Sequence, residues 1–200
     1  HANIEMTSLK AIDDYQNDFR FHFPHEHRPA ARTAKTTSLT PIMEQENAEF
    51  TVINGWERVE YIKPSKDFHP SLSFHFDEAF DVVANEVKNV QNNVGLTEVN
   101  GFNRFEITGS DANSFVGRMF CGNITQKSGR VGLGYLLNDF GMIKSEATIS
   151  NIPASYRGPK RMWYGSAAAS EFHDMDWLNQ HLKDDEDVSI KSLTNDQTIL

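Results

Sequence analysis

Between Ser128 and Ser150 the chain carries SGRVGLGYLLNDFGMIKSEATIS, a pattern that suits two strands joined by a tight turn. Val131, Leu133, Tyr135 and Leu137 alternate with Gly132, Gly134 and Leu136, the period of two of a half-buried strand. Asn138, Asp139 and Gly141 are turn residues, and the glycine takes a positive φ at little cost. Beyond the turn, Ile143, Ala147 and Ile149 share one face, while Met142, Lys144, Glu146, Thr148 and Ser150 share the other. One face is therefore core, and Glu146 stands at the centre of the opposite one. An acid there is either a solvated carboxylate, the usual fate of such residues, or a working group.

Two hundred residues suffice for one ordinary domain or parts of two. A net charge of −9 argues against nucleic-acid and membrane-surface partners, which select clustered Lys and Arg. No apolar run approaches a membrane span, and the N-terminus lacks the apolar core of a signal peptide. The single cysteine, Cys121, excludes an internal disulfide and fits a reducing compartment, bacterial cytoplasm or mitochondrial matrix. It is expected to be a buried structural thiol. No dinucleotide fingerprint, P-loop lysine, Ser-His-Asp order, CxxC or HExxH is present. His22, His25 and His27 lack supporting ligands at metal-site spacing, so no metal is expected.

Residues 1–40 have little periodicity and are expected to be extended. Pro41 suits the first turn of a short helix, Asn54-Gly55 marks a turn, and Trp56 is a packing anchor. Residues 63–73, rich in Pro and Ser, are the expected boundary, giving a linker over 1–70 and a main domain over 71–200. Phe76, Phe80, Val83, Val87, Val90 and Val94 make one stripe of an amphipathic helix, expected to be core. NGFNRFEITG (100–109) gives a strand with Phe105 and Ile107 on one face and Arg104, Glu106 and Thr108 on the other, before a helix with Ser110 as its N-cap and Ala112, Phe115, Val116, Met119 and Phe120 on one side. The Asn123-Ile124-Thr125 sequon is discounted for want of a secretory signal, and 151–160 is a loop. Trp163 and Tyr164 point to opposite faces of the next strand, so only one can face the core while the other can flank a planar ring. In the helix that follows, Met175, Leu178 and Leu182 form the buried stripe, and Asp174 and Asp176 complement its dipole. DVSIKSL and QTIL are expected strands.

Three stretches carry a family resemblance. The hairpin LGYLLNDFGMIKSEATIS resembles the "MLNE-x-GG-I-x-x-(D/E)-L-T-V" hairpin of the glycine-cleavage T protein, and more closely the folate-binding region of dimethylglycine and sarcosine dehydrogenases. VGLTEVNGFNRFEITGSDANSFVGRMF resembles "VGLxDxSxxxKFEVxGPDAxxFLxRLF" of that family, and HDMDWLNQHL resembles its "HDLDWIRRHL" helix. Phe23 to Arg32 (FPHEHRPAAR) and the GWER segment at 55–58 resemble the region leading from the flavin domain to the folate domain in the dehydrogenases. Departures fall at Leu133, where many T proteins have an aromatic, at Met142, and at Ala147.

The resemblance implies an α+β fold, a mixed or antiparallel sheet with helices packed on one side, preceded by an extended linker. It implies a piece of a longer polypeptide, with FAD on a domain outside residues 1–200 and the remainder of the folate domain beyond them. The implied chemistry is oxidation of a small methylated amine and transfer of its one-carbon unit to tetrahydrofolate, giving 5,10-methylenetetrahydrofolate. Aligned by the turn, the family's acid falls on Glu146, the expected catalytic residue; Tyr135, Glu146, Trp163 and Tyr164 are the expected cofactor-binding side chains. The alternatives are an aminomethyltransferase of glycine cleavage and a non-catalytic T-like structural subunit.

Overall fold

The structure is a computed structural model describing residues 3–124, 127–154 and 158–200. Thr125 of the sequon and residues 155–157 of the expected 151–160 loop lie outside the described residues. The chain divides into two compact units at Glu98/Val99, so the expected boundary at 63–73 falls inside the first.

The first unit holds α1 (Ile4–Asn17), α2 (Thr40–Gln45), the hairpin β1 (Ala48–Ile53) and β2 (Trp56–Ile62), and α3 (Glu78–Asn92). The expectation of extended chain over 1–40 is corrected by α1: Asn3 caps it, its Oδ1 accepting from the Met6 N–H at 2.7 Å. The missing signal is an apolar stripe, and α1 buries no residue. Asn54 and Gly55, both at positive φ, turn β1 into β2, and Trp56 is buried. Residues 63–73 are a loop, as expected, and Ser71 donates from its N–H and hydroxyl to Glu78 of α3.

Glu57 on β2 is 3% exposed. Arg32 donates to it through Nε, at 3.1 Å, and Nη2, and the Thr33 N–H adds a third bond at 3.0 Å. Burial alone would raise the Glu57 pKa, but the Arg32 hydrogen bonds, the Thr33 N–H and the Arg32 charge hold it below its ordinary 4.5.

The stripe on α3 is not core. Phe76 is 84% exposed, and Phe80, Val83, Val87, Val90 and Val94 are exposed too. Its periodicity sets the chemistry of whatever covers it without requiring that cover to lie within these residues.

The second unit is one six-stranded antiparallel sheet with helices on one face. Its elements are β3 (Phe105–Thr108), α4 (Ala112–Met119), β4 (Phe120–Cys121), β5 (Val131–Leu137), β6 (Ile143–Ile152), β7 (Arg161–Gly165), a 3₁₀ turn Ala168–Ser170, α5 (Glu171–Gln180) and β8 (Ser189–Ser192). The strand order is β4-β5-β6-β7-β3-β8. Ala112, Phe115 and Val116 of α4 and Leu178 of α5 pack on Phe105, Ile107, Leu136, Ala147, Ile149, Met162 and Tyr164. Met175 and Leu182 pack against this core from its edge.

Three local expectations change. Ser110 does not cap α4; its N–H and hydroxyl both donate to Asp187 at 2.9 Å. QTIL is not a strand. Asp174, expected only to complement the helix dipole, is fully buried. Its Oδ2 accepts from the hydroxyls of Tyr164, Ser166 and Ser145, the last at 3.0 Å. Ser166 in turn joins Asn103: the Asn103 Nδ2 donates to Ser166 Oγ at 2.7 Å, and the Ser166 N–H donates to Asn103 Oδ1 at 2.9 Å.

Two measurements follow. Asp174→Ala strands three buried hydroxyls and is expected to cost about 3 kcal/mol or more in urea unfolding, while Asp174→Asn, which keeps an acceptor, costs less; equal losses would contradict the network. For Glu57, a depressed folded pKa means stability present above pH 4.5 and lost as pH falls through the folded value. Arg32→Met is expected to cost about 3 kcal/mol at neutral pH. That cost shrinks on acidification, because the unpaired buried acid is then relieved by protonation.

Candidate functional site

The β5–β6 hairpin sets the site. Asn138 makes its turn: Oδ1 accepts from the N–H groups of Phe140 and Met142 at 3.0 and 2.9 Å. Its carbonyl accepts from the Gly141 N–H at 2.9 Å, with Gly141 at φ 76°. The register pairs Val131 with Ser150, Leu133 with Thr148, and Tyr135 with Glu146. On β6, Ser145, Ala147, Ile149 and Asn151 face the helices, and Glu146 stands on the opposite, open face.

The structure fixes the facing of β5, which the alternation left open, and corrects one expectation about this hairpin. On β5 the face toward the helices carries Gly132, Gly134 and Leu136, so the larger set Val131, Leu133 and Tyr135 lies on the Glu146 face. Gly134 is crowded: an added Cβ would sit 2.6 Å from Ile124 Cδ1 and 3.3 Å from Phe120 Cβ. Glycine lets Phe120 of β4 and Ile124 beyond it pack close against β5. Ile143, expected in the core, is 65% exposed because a register irregularity between Leu136 and Leu137 shifts the strand end. Cys121 is also corrected: it is exposed. On the two-residue edge strand β4, Phe120 takes the core position, leaving Cys121 opposite Tyr135 on the other face.

The four expected site residues separate into three places. Tyr135 and Glu146 are direct cross-strand neighbours, where side chains meet. A hydrogen bond to Glu146, then the Glu146 charge and slight burial, raise the Tyr135 phenol above its ordinary 10. Trp163 shares their face but lies opposite Ser150, four residues along β6 from Glu146, or about 13 Å. That is farther than one bicyclic ring spans. The Arg161 guanidinium lies 5.7 Å from the Trp163 ring, and the Arg161 Nε pairs with Glu106 at 3.0 Å. The Trp163 Nε1 is buried and has no hydrogen-bond partner among the described residues.

Tyr164 is the member of the pair that faces the core. It is 1% exposed, stacks on Phe105 with ring centroids 5.2 Å apart, and donates to Asp174. Burial, then the Asp174 hydrogen bond, push its phenol pKa far up. A side chain so engaged is not available to a ligand on the open face. Sequence reasoning missed Asp174, whose position in the first turn of α5 has a sufficient explanation in the helix dipole. The signal that could have found it was Ser145 and Tyr164, hydroxyls at core-facing positions that require a buried acceptor.

The fold is that of T proteins. The glycine cleavage system aminomethyltransferase T from Bartonella henselae matches with a TM-score of 0.58, over 81% of this chain and 39% of that one; at 16% identity this likeness establishes the fold. The GCVT N-terminal domain family matches residues 39–200, and the chain belongs to that family. Mitochondrial dimethylglycine dehydrogenase of Rattus norvegicus is 27% identical over 202 residues, covering 100% of this chain and 23% of the relative. The mitochondrial pyruvate dehydrogenase phosphatase regulatory subunit of Mus musculus is 26% identical over 176 residues, 84% of this chain and 19% of its own length. The chain spans less than a quarter of either relative.

The facing of β5 has a direct test. Leu136→Ala is expected to cost about 3 kcal/mol, the loss for emptying a packed leucine site, and Leu133→Ala less than about 1 kcal/mol. Similar losses in urea unfolding would contradict the assignment.

Proposed function

We propose that this chain is the folate-binding part of an FAD-dependent dehydrogenase of a small methylated amine, and that the open face beside Glu146 receives tetrahydrofolate. The observation that carries the reading is the position of Glu146. The family's acid aligns on it through the Asn138–Gly141 turn, and it stands on the open face of the sheet with Leu133 and Tyr135 alongside.

The residues present fit a reduced folate. Val131 and Leu133 make a flat apolar strip beside a carboxylate that accepts hydrogen bonds from ring and amine N–H groups. Farther along the same face, the Trp163 indole offers a stacking surface for an extended ligand. Tetrahydrofolate, when bound, supplies the amine that captures the one-carbon unit as 5,10-methylenetetrahydrofolate. Glu146 orients that amine and takes its proton, a general-base role. Tyr164 contributes at one remove, by fixing the core side of β7. FAD belongs to a domain outside these residues, and no side chain of this chain is assigned to it. The names of the relatives support a mitochondrial setting; in this reading the chain works in the mitochondrial matrix or bacterial cytoplasm, with a flavin domain and the rest of the folate domain as partners.

A non-catalytic T-like module is the second reading. It is favoured by the similarity to a phosphatase regulatory subunit, which covers 84% of this chain. Calorimetry of the intact protein with tetrahydrofolate separates the two. Wild type is expected to bind, and Glu146→Gln to lose tenfold or more in affinity, roughly 1.4 kcal/mol. Absence of binding by the intact wild-type protein would select the second reading.

A further inference from the structure

Tyr135 occupies a position with its own logic. It stands two residues beyond Leu133 on the same face of β5. Two residues on a strand preserve the face and change the row. The shift places the phenol opposite Glu146 in the antiparallel register instead of opposite Thr148. Side chains so paired stand about 5 Å apart at Cβ, within reach of a hydroxyl and a carboxylate. The remaining neighbour of Tyr135 in this row is Cys121 of β4. Lys144, the nearest cation on β6, directs its ammonium to the Trp177 ring at 4.9 Å. Tyr135 is thus the hydroxyl that the register sets against the Glu146 carboxylate.

We propose that Tyr135 is the positioning residue of Glu146, its hydroxyl donating to the carboxylate and fixing the rotamer that leaves the second oxygen to face the ligand. An exposed glutamate has three rotatable bonds and spreads over many geometries, and a general base acts only from hydrogen-bond reach of its proton. A donor held by the neighbouring strand removes that freedom without occupying both oxygens. The Tyr135 phenol pKa, raised first by the hydrogen bond to Glu146, agrees with the pairing. The assignment rests on Glu146 serving tetrahydrofolate, and it moves Tyr135 from ligand contact to support of the acid.

The test uses the intact protein in three forms: wild type, Tyr135→Phe and Glu146→Gln. Tyr135→Phe keeps the ring and loses only the donor, so the thermal midpoint is expected to hold. One-carbon transfer to tetrahydrofolate is expected to slow about tenfold, with folate affinity within twofold of wild type. In protein labelled with ¹³C at the tyrosine ζ carbon, Tyr135 is expected to titrate above the ordinary value of 10 and to return towards it in Glu146→Gln. Wild-type transfer rates in Tyr135→Phe, with Glu146→Gln impaired, would overturn the positioning role and leave the functional reading standing. Failure of the intact protein to bind tetrahydrofolate would overturn both. A Tyr135 titration unmoved by Glu146→Gln would overturn the pair itself.

Discussion

Three hydroxyls converge on one carboxylate oxygen, Asp174 Oδ2, and each comes from a different part of the sheet unit. Ser145 brings β6, Tyr164 brings β7, and Ser166 brings the turn after β7 and, through Asn103, the entry to β3. A carboxylate with no exposure survives only when its lone pairs are met, so the arrangement is held to one register. A one-residue slip of β6 would turn Ser145 away from Asp174 and carry Glu146 into the helix layer. The stacked Phe105 and Tyr164 rings, the Leu178 contact and the seating of α5 all depend on the same alignment.

This constraint explains why one face of the sheet can be given to function. The polar groups that specify the fold lie on the helix side, where they are buried and saturated. The opposite face carries Tyr135, Glu146, Thr148 and Trp163, positioned by the same strands without being consumed by them. The hairpin turn serves the same end. Asn138 ties both strands through its side chain and backbone, so the Tyr135–Glu146 row sits next to a rigid end of the sheet.

Much of this was legible in the sequence, and the failures have identifiable physics. Turn chemistry at Asn138 and Gly141 and the alternation along β6 located Glu146 correctly on the face away from the helices. The facing of β5 stayed open because two of its three core positions are glycines, Gly132 and Gly134, which add nothing to a hydrophobic pattern. The α3 stripe was recognisable as a helix, yet its exposure depends on atoms outside the pattern. Helix α1 announced itself only through its Asn3 cap. The Arg32–Glu57 pair shows the reverse case: both residues were visible as parts of family-like segments, but only the fold reveals that one segment neutralises the other. Asp174 was hidden because the helix dipole already sufficed to explain it.

The central claim is that the open face of β5 and β6, beside Glu146, receives a reduced folate. A crystal structure of the intact protein with bound tetrahydrofolate tests it most directly. The account predicts the pterin against Val131 and Leu133, with a ring or amine nitrogen in hydrogen-bond reach of the Glu146 carboxylate, about 3 Å. A pterin bound elsewhere, with Glu146 facing solvent alone, would contradict it.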